Sequence, residues 1–124
     1  MPQHILVADD DPAVRDYLHR SLAQAGYEVT VAANGKEALQ LFSSRSFDLV
    51  ITDILMPDCD GLEVLLHIRQ VRPKVPVVAI TGAENELFGH NAAGLGALFV
   101  LPKPFTGAEL HAAVRRALSP PGDG

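Results

Sequence analysis

A single cysteine, Cys59, stands among the 124 residues, which excludes an internal disulfide. The five histidines (His4, His19, His67, His90 and His111) are scattered, and no Cys/His cluster has the spacing of a zinc site. Basic residues are few. Ten Lys and Arg face fifteen Asp and Glu, for a formal net charge of -5. A phosphate backbone needs a basic face, so direct nucleic-acid binding is not expected. No apolar run approaches the ~20 residues that span a bilayer. Residues 1–10 carry no basic stretch ahead of their short apolar run, so a secretory leader is not expected either. The expectation is a cytoplasmic chain with no membrane contact.

What the chain does have is apolar content, at 48%, enough for a sizeable core. Its length suits one domain. "HILVA" (His4–Ala8) is a continuous apolar run of the kind found in strands buried on both faces. Asp11-Pro12 then reads as an N-cap followed by proline at the first helical position. Val14, Leu18, Leu22 and Ala25 recur at helical spacing, and Gly26 suits a left-handed cap. "YEVTVA" (Tyr27–Ala32) is a second strand. Asn34-Gly35-Lys36-Glu37 resembles a capping box ahead of Ala38, Leu41 and Phe42. "FDLVIT" (Phe47–Thr52) is a third strand, ending at Asp53. Leu62, Leu65, Leu66 and Arg69 predict a third helix with a mostly apolar face. "VPVVAI" (Val75–Ile80) is a fourth strand, ending at Thr81. Residues 84–93 predict a weak helix, and "LFVLP" (Leu98–Pro102) a fifth strand. Thr106-Gly107-Ala108-Glu109 is a full capping box, and Leu110, Ala113, Val114, Ala117 and Leu118 line a last helix. The organisation expected is a domain over 1–118 with 119–124 as a flexible tail or the start of a linker.

Five apolar strands alternating with five helices predict an α/β fold, a parallel sheet covered on both faces. In such sheets ligands bind beyond the carboxyl ends of the strands. Asp9 and Asp10, Asp53, Thr81 and Lys103 all follow strands and so converge on one rim. Three carboxylates crowded there cannot all stay ionised without an offset. Lys103 supplies one positive charge, and a divalent cation would supply two more. Hard oxygen donors suit Mg²⁺. A carboxylate beside Mg²⁺, a lysine and a hydroxyl is a plausible phosphoryl acceptor. Asp11 reads as a cap, Asp58 and Asp60 as loop and cap residues, and Cys59 as a partly buried loop residue.

The residues "ADD" at 8–10, "DILMPDCDG" at 53–61, "TG" at 81–82 and "KPF" at 103–105 resemble the receiver domain of two-component response regulators, including the chemotaxis regulators. The resemblance implies a flavodoxin-like, doubly wound five-stranded sheet in the order 2-1-3-4-5. It implies Asp53 as phospho-acceptor, fed by a sensor histidine kinase or a histidine phosphotransfer protein of a phosphorelay. Mg²⁺ would be held by Asp10, Asp53 and the backbone carbonyl of Leu55, with Asp9 acting largely through a metal-bound water. Thr81 would follow the phosphoryl group inward, Lys103 would pair with Asp53 or a phosphoryl oxygen, and Gly82 would keep the approach open. The Lys103–Pro104 bond is expected to be cis. The helix at 84–93, the fifth strand and the last helix would form the signalling face. The downstream effector or output domain is not encoded in these residues.

Two departures stand out. Val100 occupies the position where many receivers carry an aromatic switch residue, and Phe99 should face the other side of its strand. Leu55 and Ala83, two positions after the acceptor and the threonine, cannot orient a hydrolytic water. The phosphorylated form is therefore expected to decay slowly without an external phosphatase, with a half-life of minutes or longer for the isolated phosphoprotein. A half-life of seconds would refute this. Removing a crowded carboxylate, as in Asp53→Asn, is expected to stabilise the metal-free protein. A Mg²⁺-dependent phosphatase with an aspartate nucleophile is the alternative, but it needs a second aspartate as general acid where Leu55 stands. A flavodoxin-like cofactor binder lacks a phosphate-cradling run, and tryptophan is absent. The chain is not expected to be an enzyme beyond its own phosphoryl transfer and dephosphorylation.

Overall fold

The computed structural model describes residues 2–54, 56, 61–82, 94 and 96–119. One parallel sheet runs in the order β2-β1-β3-β4-β5. Its strands are β1 (His4–Ala8), β2 (Glu28–Ala32), β3 (Leu49–Asp53), β4 (Val77–Thr81) and β5 (Phe99–Pro102). Among the described residues the helices with defined bounds are α1 (Pro12–Gln24), α2 (Gly35–Ser44), α3 (Gly61–Val71) and α4 (Gly107–Leu118). This is the flavodoxin-like doubly wound architecture, in the expected order. The weak helix expected over 84–93 lies outside the described residues. So do Leu55, Asp58, Cys59, Asp60, Ala83 and the tail from 120.

Strand alternation divides the core into two layers. Leu6, Ala8, Val50, Val77 and Ala79 face Phe42 of α2 and Val64, Leu65 and Ile68 of α3. Ile5, Val7, Leu49, Ile51, Val78 and Ile80 face Leu18 and Leu22 of α1 and Leu110 and Val114 of α4. Each fully buried large side chain contributes about 1.5–3 kcal/mol relative to exposure. On β5, Val100 packs into the first layer and Phe99 into the second, as alternation requires. The Arg116 guanidinium lies 5.0 Å from the centroid of the Phe99 ring, so that ring is held on the α4 side. Pro102 lacks an N–H and is tolerated because β5 is an edge strand.

Helix starts follow local chemistry. The Asp11 side chain accepts from Ala13 N–H at 2.9 Å, with Pro12 opening α1. Asn34 accepts from Glu37 N–H at 2.8 Å. Thr106 and Glu109 close both halves of a capping box, each at 3.0 Å. Gly26 follows α1 at φ +99°, a left-handed conformation that glycine adopts without a Cβ penalty.

The face of α3 differs from the expected one. Gly61, Val64, Leu65 and Ile68 are buried, whereas Leu66 is 42% exposed and Arg69 is exposed. The buried stripe lies about one residue N-terminal to the predicted one. Five of the first eight residues of this helix are Leu, Val or Ile, so periodicity alone does not select a face.

Candidate functional site

The register of the sheet assembles the rim. Ala8 pairs with Thr52, Asp53 with Ile80, and Thr81 with Pro102. The next residues along β1, β3, β4 and β5 are therefore neighbours above the sheet, although they are far apart in sequence. Strand order reverses at β1, which has β2 on one side and β3 on the other. That is the position where open α/β sheets bind ligands.

Asp9 is fully buried, Asp53 is 6% exposed and Thr81 is 5% exposed, while Asp10 is open to solvent. Lys103 Nζ lies 3.1 Å from Asp53 Oδ2 and 3.5 Å from Asp9 Oδ2. The lysine therefore sits between the two buried carboxylates and donates to that of Asp53. Asp9 Oδ1 accepts the Asp11 N–H at 2.9 Å, whereas among the described residues no hydrogen-bond donor reaches its Oδ2, which has only the Lys103 ion pair. Carboxylate oxygens of Asp9, Asp10 and Asp53 all lie within 4.8 Å of one another. The Thr81 hydroxyl donates to the Gly82 carbonyl at 3.2 Å. The Lys103–Pro104 peptide is cis, as expected.

The electrostatics follow from this packing. Burial pushes the Asp9 carboxyl up to about 6, the Asp11 N–H works in the opposite direction, and Asp53 adds to the rise. Burial also disfavours the Lys103 ammonium, but Asp9 and Asp53 outweigh it and hold the lysine above its usual range. One ammonium thus faces three clustered carboxylates, one of them with an orphaned buried oxygen. Hard donors with a surplus of negative charge fit a small dication such as Mg²⁺. The fit concerns Asp9, Asp10 and Asp53; the expected carbonyl ligand of Leu55 lies outside the described residues.

Two supports of the site were not read from the sequence. Gly61 opens α3 directly against the end of β3. Its N–H donates to Ile54 O at 2.7 Å, and a Cβ there would lie 2.1 Å from Asp53 O. The glycine was visible at the end of "DILMPDCDG", but its contact depends on how α3 docks. Arg15 Nη1 donates to the Asp9 carbonyl at 2.9 Å. Its signal in the sequence was a basic residue close to a helix N-terminus, where the macrodipole disfavours it. Beside Lys103, an open groove of about 740 Å³ is lined by Ala13, Tyr17, Gly82, Pro104 and Phe105 among others.

Fold and site together define a doubly wound α/β domain with an acidic, lysine-bridged rim. The chain belongs to the response regulator receiver domain family, whose model matches residues 5–115. It is 44% identical to response regulator MprA of Mycolicibacterium vanbaalenii, covering 100% of this chain and 54% of that protein. It is 40% identical to the DNA-binding transcriptional regulator NtrC of a Bradyrhizobium strain, over 94% of this chain and 24% of the relative. The chain thus spans between a quarter and about half of these curated relatives. Among solved structures, the receiver domain of NtrX from Brucella abortus superposes with a TM-score of 0.88 at 34% identity, covering 92% of this chain and 97% of that one. A receiver domain protein from Clostridium thermocellum gives 0.89 at 32% identity, covering 94% of each. Among the described residues, no helix is long and apolar enough to cross a membrane.

Proposed function

We propose that this receiver is a phosphorylation-dependent switch in which Asp53 takes a phosphoryl group from the phosphohistidine of a sensor kinase or a histidine phosphotransfer protein. An Asp53 carboxylate oxygen attacks phosphorus in line. The O–P bond forms as the P–N bond to the donor histidine breaks, and the imidazole leaves with the electron pair. The observation that carries this reading is Lys103 Nζ set between Asp53 Oδ2 at 3.1 Å and the buried Asp9 Oδ2 at 3.5 Å. Lys103 neutralises charge at the acceptor and would follow it onto a phosphoryl oxygen. Asp9, Asp10 and Asp53 would hold Mg²⁺, with Leu55 offering its carbonyl. That ion would supply charge neutralisation for the transferring group. Thr81, buried at the end of β4, would turn its hydroxyl from the Gly82 carbonyl to that group.

The phosphoryl group shifts an equilibrium only by interacting differently with two states. Drawing in Thr81 would couple the site to the segment after β4, and so to β5 and α4. Val100, an aliphatic residue packed into the α2–α3 layer, leaves this readout without a ring at that position. We assign residues 1–118 to the receiver and 119–124 to a tail or linker start, because α4 ends at Leu118 and Ser119 caps it. A cytoplasmic location fits a partner kinase that acts there. The acidic balance argues against nucleic-acid contact by this segment alone, although one relative is named as DNA-binding.

The test is incubation with acetyl phosphate, with and without Mg²⁺, followed by intact-mass measurement. One phosphoryl group is expected on wild type only with Mg²⁺, and none on Asp53→Asn. Labelling of Asp53→Asn equal to wild type would reject the assignment.

A further inference from the structure

Asp10 is the exposed member of the acidic cluster, and no side-chain hydrogen bond or ion pair holds it among the described residues. Its position depends on its own backbone. On the C-terminal side, Asp11 N–H is tied to Asp9 Oδ1 at 2.9 Å. On the N-terminal side, the Asp9–Asp10 peptide has its carbonyl oxygen held by Arg15 Nη1 at 2.9 Å. Asp9 N–H is anchored to Ala32 O at 3.2 Å. The turn that presents Asp10 is thus clamped by one long side chain reaching back from α1.

Arg15 is an odd choice for a purely structural helix residue. Its N–H makes the first backbone bond of α1, to Asp11 O at 2.9 Å. It therefore sits at the positive end of the macrodipole, where a cation is unfavourable. Among the described residues no carboxylate lies within ion-pairing distance of it. A local rule broken in exchange for one main-chain hydrogen bond beside the acidic cluster points to that cluster. The guanidinium is half-buried and its bond goes to the main chain, so what it fixes is the orientation of a peptide plane.

We propose that Arg15 is a positioning residue for cation binding: by clamping the Asp9 carbonyl it holds the Asp10 carboxylate where Asp9 and Asp53 can share a divalent ion with it. This rests on the Mg²⁺-dependent reading above. Charge and geometry predict opposite signs. As a charge alone, Arg15 repels a dication, so its loss would tighten binding. As a clamp, its loss weakens binding, as the loss of outer-shell partners does elsewhere, roughly 10-fold at the low end.

The experiment is a Mg²⁺ titration of the unphosphorylated protein, read by the amide resonances of Asp10 and Asp53. Arg15→Met is expected to raise the Mg²⁺ dissociation constant about 10-fold by that outer-shell precedent. Arg15→Lys keeps the charge but loses the planar fork, and is expected to raise it by a smaller factor. Arg20→Met, which removes only the exposed partner of Asp16, should leave it unchanged. Unchanged or tighter binding by Arg15→Met overturns the inference, as does an unchanged Arg15→Lys if Arg15→Met does not fold. Wild-type protein that binds no Mg²⁺ overturns the proposed function as well, so the two failures are distinct.

Discussion

Asp9→Asn is expected to stabilise the metal-free protein at pH 8 by about 2–3 kcal/mol while weakening Mg²⁺ binding. The reason is the position of one oxygen. Asp9 is fully buried, among the described residues its Oδ2 has no hydrogen-bond donor, and burial pushes its carboxyl from 3.8 to about 6. A displacement of that size corresponds to about 3 kcal/mol. The folded protein binds this proton more tightly than the unfolded chain does. The favourable contribution is therefore complete below pH 3.8 and is lost as pH rises through about 6. Wild type should lose about 1 kcal/mol from this group between pH 5 and pH 8, and Asp9→Asn should not. Lys103, held above 10.5, stays charged across that window and adds no slope. Asparagine also gives up the attraction of Lys103, which is why the full figure is not expected. Urea melts at the two pH values, with chelator present, measure both quantities. Equal stabilities at pH 8, or parallel pH slopes, would refute the account. Saturating Mg²⁺ should reverse the order, since a ligand bound only by the folded state adds to its stability.

The same oxygen marks how far the sequence could be read. Asp9, Asp10 and Asp53 were legible as a cluster because strand-end positions follow from apolar runs and their order. Which carboxylate bears the strain was not legible. Removal of either buried carboxylate relieves repulsion, but Asp53 accepts from Lys103 at 3.1 Å whereas Asp9 Oδ2 has only the longer 3.5 Å ion pair. Adjacent residues in a turn look alike in sequence, and only the turn's path decides that Asp9 points inward and Asp10 outward. The face of α3 was misread for a related reason. Leu62, Val64, Leu65, Leu66 and Ile68 leave several stripes open, and the docking at Gly61 chooses among them. The position of Arg15 near a helix N-terminus marks it as unusual, but its partner is a backbone carbonyl, which residue type does not reveal.

Gly61→Ala should be among the most damaging single substitutions in this chain. A Cβ at Gly61 would sit 2.1 Å from Asp53 O and 2.7 Å from Ile54 Cα. Both are backbone atoms, at the end of β3 and just past it, so neither can rotate away. Either α3 withdraws, uncovering Val64, Leu65 and Ile68, or β3 shifts and takes the Asp53 carboxylate out of reach of Lys103. Overpacking against rigid neighbours costs about 1–3 kcal/mol and sometimes more; with main chain on both sides we expect at least ~3 kcal/mol, read by denaturant melts. Protein that remains folded at low temperature should label with acetyl phosphate at under about a tenth of the wild-type rate, a loss of roughly 1.4 kcal/mol in transition-state stabilisation. Gly26→Ala supplies the contrast. Gly26 has φ +99° and nothing within 4 Å of a Cβ, so alanine there costs only the left-handed strain of about 1–2 kcal/mol. Its labelling rate should match wild type. If the two alanine variants melt alike and label alike, the approach of α3 to the acceptor strand does not set the position of Asp53. If only Gly61→Ala loses labelling, the glycine that ends "DILMPDCDG" is the spacing element that lets a helix start against a phospho-acceptor without displacing it.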